Sequence, residues 1–134
     1  MAFGFGRDRR LRKRAEFLRV QSVGQRASTP HFVLLVAAQP SAPAREAGVR
    51  SPSRLGIVVT KKVGNAVARN RVKRLCRECF RLWPDLVPDG IDLVVIAKVG
   101  AHDLALGDVQ SEWRRAHSLV RKRCTAVLES AHGE

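Results

Sequence analysis

Tyrosine is absent from this 134-residue chain, and phenylalanine and tryptophan together make up only 5% of it. Few rings are therefore available to stack on a ligand. No apolar run approaches the ~20 residues that a membrane-spanning helix needs. Residues 1–6 lack the long apolar stretch of a secretory signal, so a cytoplasmic protein is expected. Three cysteines, Cys76, Cys79 and Cys124, are an odd number and suit reduced thiols better than a disulfide framework. His31, His102, His117 and His132 form no spaced cluster. The acids Asp85, Asp89, Asp92, Asp103, Asp108 and Glu112 fall mostly at element ends, where turn and cap roles explain them. Nothing resembles the carboxylate cluster of a two-metal hydrolytic centre. No catalytic residue and no metal site is assigned.

What the chain has in excess is positive charge. Lysine plus arginine number 25 against 12 acids, a net of +13. Residues 1–81 hold 19 basic and 4 acidic residues, net +15, whereas residues 82–134 hold 6 and 8, net −2. Such concentration points to a polyanionic partner. An anionic membrane surface is the other candidate, but the basic segments lack the bulky apolar face of an interfacial helix.

The length suits one domain with a modest core. Residues 1–14 form a basic arm that contains Arg9, Arg10 and Arg12. A short helix is expected over 15–23, ended by Gly24, with Phe17, Leu18 and Val20 toward a core. Strands are expected at 31–39, 54–60 and 91–99. The proline-rich stretch 40–53 reads as a mobile loop, and 131–134 as a frayed tail. A last helix, capped by Asp108, runs to about Ser130 and carries Val109, Trp113, Ala116, Leu119, Val120, Cys124 and Val127 at helical spacing. The pattern is α+β, a sheet packed by helices.

Residues 64–83 read as one amphipathic helix, closed by Pro84. At 100° per residue, Ala68, Val72, Leu75, Cys76, Cys79, Phe80 and Trp83 share one arc. Asn70, Arg71, Lys73, Arg74, Arg77 and Arg81 share the other. A merely solvated helix face usually mixes signs, because oppositely charged residues one turn apart stabilise it. Here Glu78 is the only acid in 61–81, against eight basic residues. Phosphates would relieve the crowding, and arginine forks suit them. Lys61, Lys62, Gly64 and Asn65 precede a helix start, whose free N–H groups favour anions. The Cys76-x-x-Cys79 pair lies on the apolar arc without a second ligand pair, so core packing is preferred to zinc or redox chemistry.

The run Lys61-Lys62-Val63-Gly64-Asn65-Ala66-Val67-Ala68-Arg69-Asn70-Arg71-Val72-Lys73-Arg74 resembles the signature of the bacterial ribonuclease P protein family, centred on Arg69-Asn70-Arg71. The segments 10–17, 54–60 and 91–98 are similar to that family as well. The resemblance implies a single compact domain with a central mixed four-stranded sheet and a left-handed βαβ crossover, like a domain of some ribosomal proteins. It implies an accessory subunit of an endoribonuclease whose catalytic RNA cleaves with Mg²⁺, while the protein binds no cofactor itself. The partners implied are the RNA subunit and precursor tRNA, with no membrane and no protein oligomer required.

Carried onto this sequence, Lys61, Lys62, Asn65, Arg69, Asn70, Arg71, Lys73, Arg74 and Arg77 would contact the RNA subunit, together with Arg9, Arg10 and Arg12 of the arm. Phe17, Phe32, Leu35 and Lys98 would line a cleft for the 5′ leader of precursor tRNA, since aromatic rings suit unpaired bases. Ordinary core packing accounts for Phe17 and Phe32 equally well. Family members often carry aromatics near Gln21 and Leu35; this chain does not. A general RNA-binding protein shares the charge pattern. A stand-alone nuclease is disfavoured by the missing carboxylate or histidine cluster.

Overall fold

Two apolar seven-residue strands set the architecture. In the computed structural model, which describes residues 9–40 and 51–132, the elements run α1 (Arg14–Val23), β1 (Gln25–Ser28), β2 (Phe32–Ala38), β3 (Arg54–Val58), α2 (Ala66–Arg81), β4 (Ile91–Ala97) and α3 (Leu106–His132). The sheet order is β1-β2-β4-β3. β2 and β4 pair antiparallel at its centre, with Leu34 opposite Val95. β3 joins β4 in parallel, the two connected through α2. The result is a mixed four-stranded sheet packed by three helices.

Side chains alternate across the pleat, and both faces of the central strands are covered. Phe32, Leu34, Val36, Leu93 and Val95 join Val72, Cys76, Cys79 and Phe80 of α2 and Val109, Trp113, Val120 and Cys124 of α3 in the larger core. Trp113 meets Phe32 edge-on, ring centroids 5.9 Å apart. On the opposite face a smaller cluster holds Leu11, Val20, Leu35, Ala37 and Val94, with Phe17 packed against it. Phe17 can pack closely on this face because β3 offers a glycine there. A Cβ on Gly56 would come within 2.5 Å of its ring.

Several expectations are corrected. β1 was not foreseen, because three of its four residues are exposed and only Ala27 is buried. The part of the basic arm that is described does not hang free. Arg10 forms a parallel bridge with Leu55, and the Leu11 N–H donates to the Leu55 carbonyl at 2.9 Å. The arm thereby covers the outer edge of β3, which would otherwise present unpaired backbone groups. Leu18 (48% exposed) and Leu119 (38%) face solvent rather than the core. Asp108 lies inside the first turn of α3, its carboxylate accepting from the Ala105 N–H at 2.9 Å. Most of the 40–53 loop, residues 41–50, lies outside the described residues. Its end is anchored: the Ser51 carbonyl accepts from the Gly90 N–H and the Pro52 carbonyl from the Gln39 amide. In the expected tail, helix α3 continues through His132, and residues 133–134 lie outside the described residues.

Candidate nucleic-acid interface

The α2 helix forms as its sequence dictates. Asn65 caps it, the side-chain oxygen accepting from the Ala68 N–H at 2.9 Å. Val72, Cys76, Cys79 and Phe80 are buried, while Asn70, Arg71 and Arg74 are exposed and Lys73 and Arg77 half-buried. Lys61 and Lys62 stand exposed just before the cap. Glu78 is occupied by Arg81 through paired bonds, and that contact holds the Glu78 carboxyl below the ordinary range. The remaining cations of the flank meet no carboxylate among the described residues.

The two arginines of the Arg-Asn-Arg motif also brace the backbone. Arg69 donates to the Gly64 carbonyl at 3.0 Å, fixing the loop that carries Lys61 and Lys62. Arg71 donates to the His102 and Leu104 carbonyls at 3.2 and 2.8 Å. A guanidinium has five N–H donors, so each keeps donors for a ligand. Arg9 is more fully committed. It donates to the carbonyl and hydroxyl of Ser53, and its guanidinium lies 5.5 Å from the centroid of the Phe80 ring. It latches the arm to the sheet edge.

That latch brings two parts of the sequence together. An open groove of about 200 Å³ is lined by Arg10, Leu11, Arg12 and Phe17 from the arm and α1, Gly56 from β3, and Lys73 and Arg77 from α2. Burial and the nearby Arg10 both push the Arg77 pKa down. Four cations around one opening make a site where a phosphate oxygen would offset mutual repulsion.

On the α1 face, Phe17 borders this groove and Leu35 is buried beneath α1. Phe32 is the clear correction to the expected cleft. It is fully buried on the opposite face against Trp113 and cannot share a surface with Phe17. Lys98 follows β4 and donates to the Ser28 hydroxyl at 3.0 Å, at the end of β1, and to the Thr29 carbonyl at 2.6 Å, in the turn that follows.

Two acids do more than turn or cap duty. Asp92, fully buried, accepts from Arg54 at 2.8 Å through both oxygens and from Arg19 at 2.6 Å. Arg54 also reaches Glu16 at 3.2 Å. The Asp92 bonds, together with Glu16, raise the Arg54 pKa despite its burial. Against the cost of burial, the N–H groups of Arg12 and Lys13, with Arg54, hold the Glu16 carboxyl low. This network ties the arm and α1 to β3 and β4. Glu112 accepts from the Thr29 hydroxyl at 2.7 Å and the His31 N–H at 2.9 Å, with the His31 ring 2.6 Å away. These contacts lower its pKa against burial. The sequence did signal both: Asp92 is an acid within an apolar strand, and Glu112 lies on the apolar arc of α3.

Burial raises all three thiol pKa values, Cys79 to about 12 and Cys124 to about 11. They are packing residues. Among the described residues no group of three His, Cys, Asp or Glu could hold a metal ion, and no helix is long and apolar enough to cross a membrane.

Comparison with known proteins agrees with this geometry. The family model for Ribonuclease P matches residues 5–121. The chain is 43% identical to the ribonuclease P protein component of Syntrophus aciditrophicus over 103 residues, covering 77% of this chain and 79% of that one. It is 39% identical to that of Gluconacetobacter diazotrophicus over 110 residues, 81% and 88% of the two chains. Among solved structures, the Staphylococcus aureus RNase P protein superimposes with a TM-score of 0.67 at 30% identity, over 83% of this chain and 94% of that one. The Thermotoga maritima protein gives 0.65 at 33% identity, over 79% and 92%.

Proposed function

Because this chain belongs to the ribonuclease P protein family, we propose that it binds the catalytic RNA of that endoribonuclease through the cationic flank of α2 and steadies the 5′ leader of precursor tRNA along the α1 face of the sheet. The observation that carries the reading is the single sign of the exposed α2 flank, from Lys61 to Arg77, above a buried apolar flank. Such a surface gains from phosphates, each contact releasing counterions from the RNA. The arm-side groove, with Arg10, Arg12 and Phe17 beside Lys73 and Arg77, offers a passage between the two bound strands. Phe17 is the ring that remains available to an unpaired base, and Lys98 supplies charge farther along the sheet.

Hydrolysis, with its Mg²⁺, then belongs to the RNA, and the polypeptide contributes placement and charge. Reconstitution tests this. Full-length protein added to ribonuclease P RNA at low Mg²⁺ restores leader removal from precursor tRNA, where RNA alone is slow. Failure of the protein to stimulate the RNA would contradict the reading, as would cleavage by RNA-free protein.

A further inference from the structure

The C-terminal segment, net negative over residues 82–134, nevertheless carries a cationic stripe. Between Trp113 and Leu128 there are five basic residues and no acid. On α3, Arg114, Arg115, Arg121 and Lys122 fall within about 120° of the helix surface. All four are exposed, with Ser118 between the two pairs. The pairs are seven residues apart, about 10 Å along the axis. The neighbouring acids do not neutralise them. Glu112 is turned inward onto Thr29 and His31, Glu129 lies beyond the stripe, and Asp85 meets Arg121 through its backbone carbonyl at 3.3 Å. None of the four forms an ion pair with a carboxylate among the described residues.

The stripe is continuous with the α2 interface. Arg114 lies 5.9 Å from the centroid of the Trp83 ring, just past the end of α2. The first turn of α3 joins Arg71, Arg74, Leu75 and Glu78 of α2 in lining one groove through Leu106. Both helices cover the same sheet face, and α1 with its leader passage covers the other. An RNA lying on α2 can extend onto α3 without crossing the sheet. We infer that Arg114, Arg115, Arg121 and Lys122 form a second phosphate-binding surface for the catalytic RNA, distinct from the α2 flank. The inference rests on the α2 reading and extends its interface.

The test uses Arg115→Gln with Lys122→Gln, because neither side chain braces the fold. Lys73→Gln with Arg74→Gln reports on α2, and Lys13→Gln with Arg14→Gln matches the charge change at the start of α1, on the other sheet face. For each full-length variant, the affinity for ribonuclease P RNA is measured across a salt series, with circular dichroism to verify folding. Each lost phosphate contact lowers the slope of log affinity against log salt by about 0.7–0.9. The α3 pair is therefore expected to flatten it by about 1.5, more than the charge-matched pair, with Arg115→Lys restoring part of the loss. A flattened slope for α2 with no change for α3 beyond the matched control overturns the second surface and leaves the α2 reading intact. A loss seen only when precursor tRNA is present overturns it as well, since the stripe would then serve the substrate. Unchanged slopes for both pairs defeat both readings.

Discussion

The sheet face beneath α2 and α3 is closed by carbon, with Trp113, Phe32 and the buried aliphatics and thiols of two helices. The face beneath α1 has five buried residues in its cluster and relies on a charged network, Arg19–Asp92–Arg54–Glu16, to hold α1 down. Apolar packing is insensitive to where a polyanion sits. Ion pairs at a half-open face are not, and they leave guanidinium groups within reach of a ligand. Stability is thus concentrated on one side of the sheet, and the proposed leader passage lies on the other.

Removing the largest buried ring is the strongest way to break that asymmetry. Trp113→Ala should cost about 3–5 kcal/mol, a large part of the 5–15 kcal/mol typical of a domain. Leu35→Ala on the opposite face should cost roughly 2 kcal/mol, the low end for a buried leucine. Denaturant unfolding of the two variants measures the difference directly, and equal losses would remove the contrast. Asp92→Ala comes next. It strands Arg19 and Arg54, but both are partly exposed, so the loss should be about 2 kcal/mol rather than the 3–5 of a sealed pair. Its effect on binding should be selective: affinity for precursor tRNA with a long leader falls, while affinity for the RNA subunit is nearly unchanged.

The smallest effect concerns pH. The Glu112 carboxyl is held below the ordinary glutamate value of 4.5 by its hydrogen bonds. Its contribution is complete above that pH and disappears as pH falls through the lower folded value. Glu112→Gln should cost about 1–2 kcal/mol at neutral pH. It should also show a shallower fall in melting temperature below about pH 4.5 than the parent protein.

Strong periodicity made α2, β2 and β4 legible. Sixteen helical residues with a divided surface and two apolar seven-residue strands leave few alternatives. β1 was hidden because its pairing with β2 buries one residue of four. The expected leader cleft fails at Phe32 for a reason the sequence did contain. Phe32 and Leu35 are an odd number of residues apart on one strand, so they point to opposite faces. Arg9 could not be read as a latch, since its partner Ser53 lies 44 positions away. The α3 stripe was masked by averaging, because acids elsewhere in residues 82–134 cancel it in the net charge.

On the proposed reading, RNA covers the cationic flank of α2. Amine-reactive labelling of the intact protein, read lysine by lysine by mass spectrometry with and without ribonuclease P RNA, detects that cover. Lys61, Lys62 and Lys73 should become strongly protected when the RNA is added, before any precursor tRNA is present. Equal labelling of those three lysines in the free and RNA-bound protein would contradict that reading.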